Sequence, residues 1–139
     1  MSAVLLDTGP LVAYFDRSEA HHGWATEQFS AIKPPLLTCE PVLTEAAYLI
    51  QSAGGEVRAL FSFLRDGVIQ IPFQLDTESE AVGVLMRRYA DLPMDLADAC
   101  LVRMTEVRSG ARVLTLDAHF KIYRRHGRQM IPLIFPIRH

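Results

Sequence analysis

The amino-acid sequence predicts an α/β domain in which a small, mostly parallel central sheet is covered by helices on both faces. Short apolar segments that suit strands alternate along the chain with longer segments that carry helix caps and helical spacing. The 139 residues, 50% of them hydrophobic, suffice for one substantial core and are too few for two ordinary domains. We therefore expect one domain over residues 1–139.

The elements of the first half are bounded by proline, glycine and capping residues. Pro10 falls in the first turn of a short helix, where a missing backbone N–H is tolerated. Ser18 is expected to cap the second helix and Thr38 the third, while Pro34-Pro35 and Gly54-Gly55 end helices. The predicted strands cover residues 3–6 and 36–38, and the predicted helices cover residues 8–15, 18–32, 39–52 and 56–65.

The second half continues the same alternation. Thr77 and Glu80 have the spacing of a capping box at the start of a helix. Asp95 is expected to cap the next helix, and Gly110 to end it. The predicted strands cover residues 68–71, 112–116 and 130–135, and the predicted helices cover residues 77–90, 95–108 and 118–126.

Four carboxylates stand where predicted strands end or predicted helices begin. Asp7 and Asp117 each follow an apolar strand, at the sheet edge where α/β proteins bind ligands. Glu45 and Asp98 lie early in helices built mostly of apolar residues. An isolated ionised carboxylate is unstable in apolar surroundings, so it is normally paired or bound to a metal. Without a matching set of basic residues, divalent cations are the expected partners, and oxygen-only ligation favours Mg²⁺ or Mn²⁺ over Zn²⁺.

Helical spacing suggests how the two helix acids are placed. Glu45 shares a face with Val42 and Leu49, which we expect to pack inward, so its carboxylate should be half-buried. Asp98 is one of few polar positions in a helix that is apolar around nearly its whole circumference. Asp95, three residues earlier, faces the same way; its main role is helix capping, and a role as a further metal ligand stays open. The four carboxylates should converge within about 10 Å.

The net charge of −2 conceals an asymmetry, since residues 1–83 carry −7 and residues 84–139 carry +5. The basic residues of the second part could contact phosphates, or they could serve only to keep the surface soluble. The candidates for such contacts among them are Arg87, Arg88, Arg103, Arg108, Arg112, Lys121, Arg124, Arg125 and Arg128.

The sequence lacks the signals of export and membrane insertion. The first predicted strand begins within about three residues of the N-terminus, and no apolar run approaches the roughly 18 to 20 residues that span a bilayer. We expect a cytoplasmic protein without membrane contact.

Cys39 and Cys100 have no CxxC spacing and are expected to be reduced thiols in the core.

Four motifs surround the acids across essentially the whole chain. They are Leu6-Asp7-Thr8-Gly9-Pro10-Leu11, Glu45-Ala46-Ala47, Pro93-Met94-Asp95-Leu96-Ala97-Asp98-Ala99-Cys100-Leu101-Val102 and Thr115-Leu116-Asp117-Ala118-His119-Phe120. Each motif is common by itself. In this order and at these separations they resemble the motifs of PIN-domain nucleases, and more narrowly those of the VapC-type ribonuclease toxins of bacterial toxin–antitoxin pairs.

The resemblance implies a PIN-like three-layer α/β/α domain that cleaves single-stranded or looped RNA with Mg²⁺ or Mn²⁺. It also implies a homodimer inhibited by a small antitoxin. By motif match, the catalytic and metal-binding quartet falls on Asp7, Glu45, Asp98 and Asp117. Many relatives carry a further acid where this chain has His119, and many lack Asp95.

The residue types suit phosphodiester hydrolysis. A pair of metal ions about 3.5 to 4 Å apart can activate water, shield the phosphate and stabilise the leaving oxygen. Asp7 and Asp98 are the expected direct ligands, with Glu45 and Asp117 in outer positions because Mg²⁺ retains several waters. The hydroxyls of Thr8 and Thr115 could orient water or a phosphate oxygen, or could only serve as caps and strand-end hydrogen-bond partners.

The acids also predict how a partner would bind. An inserted arginine could pair with two carboxylates at once and displace the metal. Apolar helix faces that include Trp24 and Tyr48 would hold the rest of an antitoxin peptide in a groove.

Other functional classes remain as alternatives. One is a non-catalytic PIN-like module that binds RNA or protein, although an intact quartet argues against a decayed site. A receiver domain would need an acid pair after the first strand and a late lysine, where this chain has Thr8 and Asp117. A haloacid-dehalogenase-like phosphatase would need a second aspartate at Gly9.

Overall fold

The computed structural model describes residues 2–137, and its centre is a five-stranded parallel sheet. The strands are β1 (Val4–Leu6), β2 (Leu36–Leu37), β3 (Ile69–Gln70), β4 (Arg112–Leu114), β5 (Arg124–Arg125), β6 (Gln129–Met130) and β7 (Leu133–Ile134). The order in the central sheet is β3-β2-β1-β4-β7, and every neighbouring pair is parallel. β5 and β6 form a separate antiparallel hairpin.

Within the described residues, six α-helices flank the sheet. They are α1 (Thr8–Phe15), α2 (His22–Ala31), α3 (Glu40–Ser52), α4 (Val57–Arg65), α5 (Leu75–Arg88) and α6 (Leu96–Val107), followed by a short 3₁₀ helix at Ala118–Lys121. α1 packs on α2 and α3, whereas α6 packs on α5, β1 and β4. The predicted three-layer α/β/α class with a mostly parallel sheet is therefore confirmed.

The core lies around β1 and α6. β1 is apolar at every position and completely buried, as expected for a parallel strand covered on both faces. Eight of the twelve residues of α6 are buried, which confirms the prediction of a central helix.

Cys39 and Cys100 are buried and free, as predicted. Within residues 2–137, no helix combines the length and apolar character that a membrane span requires.

Two predicted helix caps in the first half are wrong. Ser18 does not cap α2, because its backbone N–H and hydroxyl both donate to Oδ1 of Asp16 in the turn after α1. Thr38 does not cap α3, whose N-cap is Cys39; the Thr38 hydroxyl instead donates to the carbonyl of Leu6 at 2.8 Å. Both side chains therefore form hydrogen bonds with groups outside the helix that follows them.

Three predictions in the second half also need correction. The capping box at Thr77 and Glu80 is wrong, because α5 already begins at Leu75. The helix predicted at residues 118–126 is only one 3₁₀ turn, after which the chain enters the β5–β6 hairpin. His126 and Gly127 have φ values of 52° and 76°, which form a tight turn that no helix can contain. The last strand of the sheet is accordingly shorter than predicted.

Candidate active site

Asp7 and Thr115 meet at the carboxyl edge of the sheet. They directly follow β1 and β4, which are neighbours in register, and this topology brings together residues 108 positions apart. The Thr115 hydroxyl donates to Oδ2 of Asp7 at 2.7 Å, and the backbone N–H of Thr8 donates to Oδ1 at 2.8 Å. Asp7 thus caps α1 and is only 6% exposed.

Asp117 is tied to the same threonine. Its backbone N–H donates to the Thr115 hydroxyl oxygen at 2.9 Å, so one buried hydroxyl joins Asp7 to the segment that carries Asp117. The Asp117 carboxylate accepts the backbone N–H of His119 at 2.9 Å and lies 3.4 Å from its ring Nδ1. Unlike Asp7, Asp117 is partly exposed, which leaves its carboxylate accessible from solution.

Asp98 approaches from the first turn of α6. Its backbone N–H donates to Oδ1 of Asp95 at 2.8 Å, so the predicted capping role of Asp95 is confirmed. The Asp98 side chain is 7% exposed, and its Oδ2 accepts the hydroxyl of Tyr123 at 2.8 Å. Sequence reasoning missed Tyr123, which follows Asp98 by 25 residues and lies in no recognisable motif.

The acids are close enough to perturb one another. Burial raises the pKa of Asp7 to about 6, with smaller contributions from the charges of Asp117 and Asp95, against the hydrogen bonds from Thr115 and Thr8. Burial likewise raises the pKa of Asp98 to about 7, aided by the charges of Asp95, Asp7 and Asp117. A cation bound between these carboxylates would offset both the cost of burying their charges and the repulsion between them.

Glu45 differs from the prediction. Its side chain is exposed on α3, so the expected half-burial is wrong, and Leu49 of the same face is 38% exposed. Glu45 borders an open cleft of about 380 Å³, whereas Val42 of the same face is completely buried. Glu45 and Leu96 both line that cleft, which places Glu45 toward the start of α6. Within the described chain, no hydrogen bond joins Glu45 to the other acids.

The donor set suits a hard divalent cation. Asp7, Asp95 and Asp98 form no ion pair within residues 2–137, and their oxygens are the ligand type that Mg²⁺ and Mn²⁺ prefer. Thr8 adds a buried hydroxyl oxygen without a partner in the described part of the chain. No three His, Cys, Asp or Glu side chains in that part are already arranged to hold an ion. By the chemistry of their oxygen donors the residues fit a hard divalent cation.

Several of the predicted phosphate-binding residues have structural partners instead. Arg103 pairs with Glu78 at 2.7 Å and with Glu106 at 3.1 Å. Arg125 donates to the Thr105 carbonyl, and Arg124 donates to nearby backbone carbonyls. The basic residues that stay exposed are Arg87, Arg88, Arg108, Arg112, Lys121 and Arg128.

Comparison with known proteins gives matches over most of the chain. The model of the PIN domain family matches residues 4–125. Ribonuclease VapC26 of Mycobacterium tuberculosis is 29% identical over 128 residues, covering 89% of this chain and 94% of the relative. The family match spans the acids that follow β1 and β4 and the one at the start of α6.

Proposed function

Because this chain belongs to the PIN-domain family, we propose that it is a metal-dependent endoribonuclease and the toxin of a toxin–antitoxin pair. The observation that carries the proposal is the group formed by Asp7, Asp98 and Asp117 at the carboxyl edge of the sheet. The similarity to a ribonuclease of the VapC type over nearly the whole chain supports RNA as the substrate. A cytoplasmic location remains a prediction.

The role proposed for each acid follows from how deeply it is buried. Asp7 and Asp98, with Glu45 at the cleft, would hold Mg²⁺ or Mn²⁺, which shields the phosphate charge and lowers the pKa of water when bound. Asp117 is accessible enough to orient an attacking water and to accept its proton. Asp95 fixes the first turn of α6 and adds negative charge. The Thr8 hydroxyl, which is buried and has no partner in the described part of the chain, would orient a water or a phosphate oxygen held beside it.

In the hydrolysis itself, a water oxygen forms a bond to phosphorus while one P–O ester bond breaks. One product end keeps the phosphate and the other gains a hydroxyl. The buried positions of Asp7 and Asp98 hold their carboxylates in place before substrate arrives, so little reorganisation is required at the reaction step.

A cleavage assay with purified protein tests the activity. Labelled single-stranded RNA should be cut with Mg²⁺ or Mn²⁺ and left intact with EDTA. Asp98→Asn should lower the rate by 100-fold or more, on the order expected for loss of one metal ligand. Asp66→Asn is the matched control, because Asp66 is an exposed aspartate at the end of α4 whose ion pair, among residues 2–137, is with Arg65. It should cut at the wild-type rate.

Two results would contradict the proposal. Cleavage that persists in EDTA, or that Asp98→Asn retains in full, would show that the acids do not carry the activity. Tight RNA binding without cleavage under any divalent cation would favour the alternative, a non-catalytic PIN-like module that binds RNA or protein.

We further propose a small antitoxin as the inhibitor and a homodimer as the active form. Tyr48 on α3 and Phe61 on α4 are 68% and 58% exposed on packed neighbouring helices, and they offer an apolar surface to a peptide. An arginine of that peptide could reach the carboxylates. Trp24 is already partly buried against the core, so it contributes less surface than predicted.

Growth and pull-down experiments test these partners. Expression of the chain alone should arrest growth, and co-expression with the adjacent small gene should restore it and yield a complex. Light scattering should give twice the 15.6 kDa monomer mass. If the chain alone is harmless and copurifies with no small protein, the toxin role fails, while an RNA-cleaving activity measured in vitro would still stand.

A further inference from the structure

Tyr123 is a fully buried tyrosine whose hydroxyl reaches one of the proposed metal ligands. Its exposure is 0%, and the hydroxyl donates to Oδ2 of Asp98 at 2.8 Å. The ring is packed edge-on against Phe120 at 5.2 Å and Tyr89 at 5.1 Å between ring centres. The aromatic neighbours therefore fix the position from which the hydroxyl donates.

The hydrogen bond limits what the Asp98 carboxylate can do. The Asp95 side chain holds the backbone of Asp98 through its N–H, and Tyr123 holds the side chain through Oδ2. The Oδ1 atom has no protein donor within the described residues and is left for another partner. A carboxylate fixed through one oxygen presents the other in a defined direction, as hydrogen-bonded carboxylate ligands do around metals.

The hydroxyl can be separated from the ring by a single substitution. Phenylalanine would keep the packing on Phe120 and Tyr89, so loss of the hydroxyl leaves the core filled. Tyr89 supplies a matched comparison in the same cluster, because its hydroxyl accepts the backbone N–H of Arg124 at 3.0 Å and touches no acid. A structural role predicts similar effects at both tyrosines, whereas a role toward Asp98 predicts a difference.

We propose that Tyr123 is a positioning residue that orients the Asp98 carboxylate for binding of a divalent cation. The inference rests on the proposed function, since it takes Asp98 as a metal ligand. It adds a residue from the segment after the 3₁₀ helix, outside the acidic quartet, to the machinery of the site.

Direct measurement of Mn²⁺ binding tests the proposal without relying on cleavage. Free Mn²⁺ is measured by electron paramagnetic resonance during titration of wild type, Tyr123→Phe, Tyr89→Phe and Asp98→Asn. Tyr123→Phe should weaken Mn²⁺ binding by about 10- to 100-fold, the usual effect of removing a hydrogen-bond partner of a ligand. Tyr89→Phe should bind within about twofold of wild type. The cleavage rate of Tyr123→Phe should recover in part at saturating Mn²⁺.

The possible results separate a failure of the role proposed for Tyr123 from a failure of the proposed function. Wild-type Mn²⁺ affinity in Tyr123→Phe, with weakened binding in Asp98→Asn, would overturn the role of Tyr123 and leave the proposed function standing. Unchanged binding in Asp98→Asn would overturn both. If Tyr123→Phe does not fold, a crystal structure of the wild type with Mn²⁺ decides: a Tyr123 hydroxyl separated from Asp98 would overturn the proposal, and a retained bond with the other oxygen on the ion would support it.

Discussion

Asp7 is a buried carboxylate, and burial disfavours its negatively charged form. Its carboxylate is only 6% exposed and lies near the charges of Asp95 and Asp117. The hydrogen bonds from Thr115 and Thr8 offset part of the resulting penalty, yet the pKa still rises to about 6. Ionised Asp7 therefore destabilises the metal-free protein, although metal binding would require this ionised form. Such a conflict between stability and function is common at functional sites.

Asp7→Asn should abolish RNA cleavage and leave the fold intact. The amide keeps the size of the side chain and an oxygen for the Thr8 N–H, but it removes the charge that a cation needs. The thermal midpoint of the metal-free variant should exceed that of the wild type at pH 8, because the amide avoids the cost of burying a charge and removes the repulsion from Asp117 and Asp95. Circular dichroism and the RNA assay measure both effects. Cleavage by the variant at the wild-type rate with Mg²⁺ would exclude Asp7 as a ligand.

The raised pKa values predict how stability depends on pH. Asp7 and Asp98 have ordinary values of 3.8 when unfolded and about 6 and about 7 when folded, so the folded state binds protons more tightly. Their contribution to stability is present at low pH and is lost as the pH rises from about 4 to about 7. Asp16, whose pKa is lowered by hydrogen bonds from Ser18, acts in the opposite direction at lower pH.

This dependence can be isolated by comparing two proteins in EDTA. The midpoint advantage of Asp7→Asn over the wild type should be small below pH 4, should grow as the pH rises from about 4 to about 6, and should level off above that, because in this window the unfolded wild type has lost a proton that the folded wild type still holds. Differential scanning calorimetry from pH 3 to pH 8 measures it. An advantage that stays constant over this range would show that the pKa of Asp7 is not raised.

Among the secondary-structure elements, the two central strands are joined by one hydroxyl where they end. Thr115 is completely buried after β4, donates to Asp7 after β1 and accepts the N–H of Asp117. The parallel pairing of β1 and β4 brings these segments side by side, and the threonine then fixes their side chains. Thr115 is thus the strand-end hydrogen-bond partner that the sequence left open.

Thr115→Val should destabilise the protein and impair cleavage. Valine has the same shape but leaves the Asp117 N–H and one Asp7 oxygen without their partner, which costs about 1 to 3 kcal/mol. Thr105→Val is the control, since Thr105 is equally buried and its hydroxyl donates only to the Val102 carbonyl. Urea unfolding and the cleavage rate are compared. Equal loss of activity in both variants would argue against a specific role for Thr115.

Over the protein as a whole, charge is distributed unevenly. The acidic residues 1–83 and the basic residues 84–139 carry −7 and +5, and part of the basic charge is engaged in internal contacts of Arg103, Arg124 and Arg125. Lys121 is exposed on the 3₁₀ helix that Asp117 caps, 4.2 Å from the centre of the Phe135 ring. Lys121 is therefore an exposed cation on the same short helix that Asp117 begins, four residues along the chain from that acid.

Lys121→Ala should weaken RNA binding and reduce its salt dependence. Removing one lysine–phosphate ion pair lowers the slope of log affinity against log salt by about 0.7 for a single strand. Fluorescence anisotropy in the Asp7→Asn background avoids cleavage during the measurement. Arg65→Ala, in the acidic half and paired with Asp66, is the control and should change neither quantity. An unchanged slope in Lys121→Ala would exclude a phosphate contact there.

The amino-acid sequence alone was enough to predict the fold class and the order of the elements as far as β4, because apolar segments, caps and breakers are signals between neighbouring residues. The β5–β6 hairpin that follows was not predicted. It also located Asp7, Asp98 and Asp117 at strand ends and a helix start, and their catalytic roles remain predictions, as does the single domain. Asp95 as the cap of α6 follows the same local logic, in which the side chain bonds an N–H three residues on.

The side chains that hold the acids, in contrast, are set by tertiary contacts. Thr115 bonds Asp7 across 108 residues and Tyr123 bonds Asp98 across 25, and neither contact has a local signal. Glu45 shows the same limit, because helical spacing placed it on an inward face whereas the packing of α3 leaves it beside an open cleft. Burial depends on what packs against a face, and that is set by elements far away in the chain.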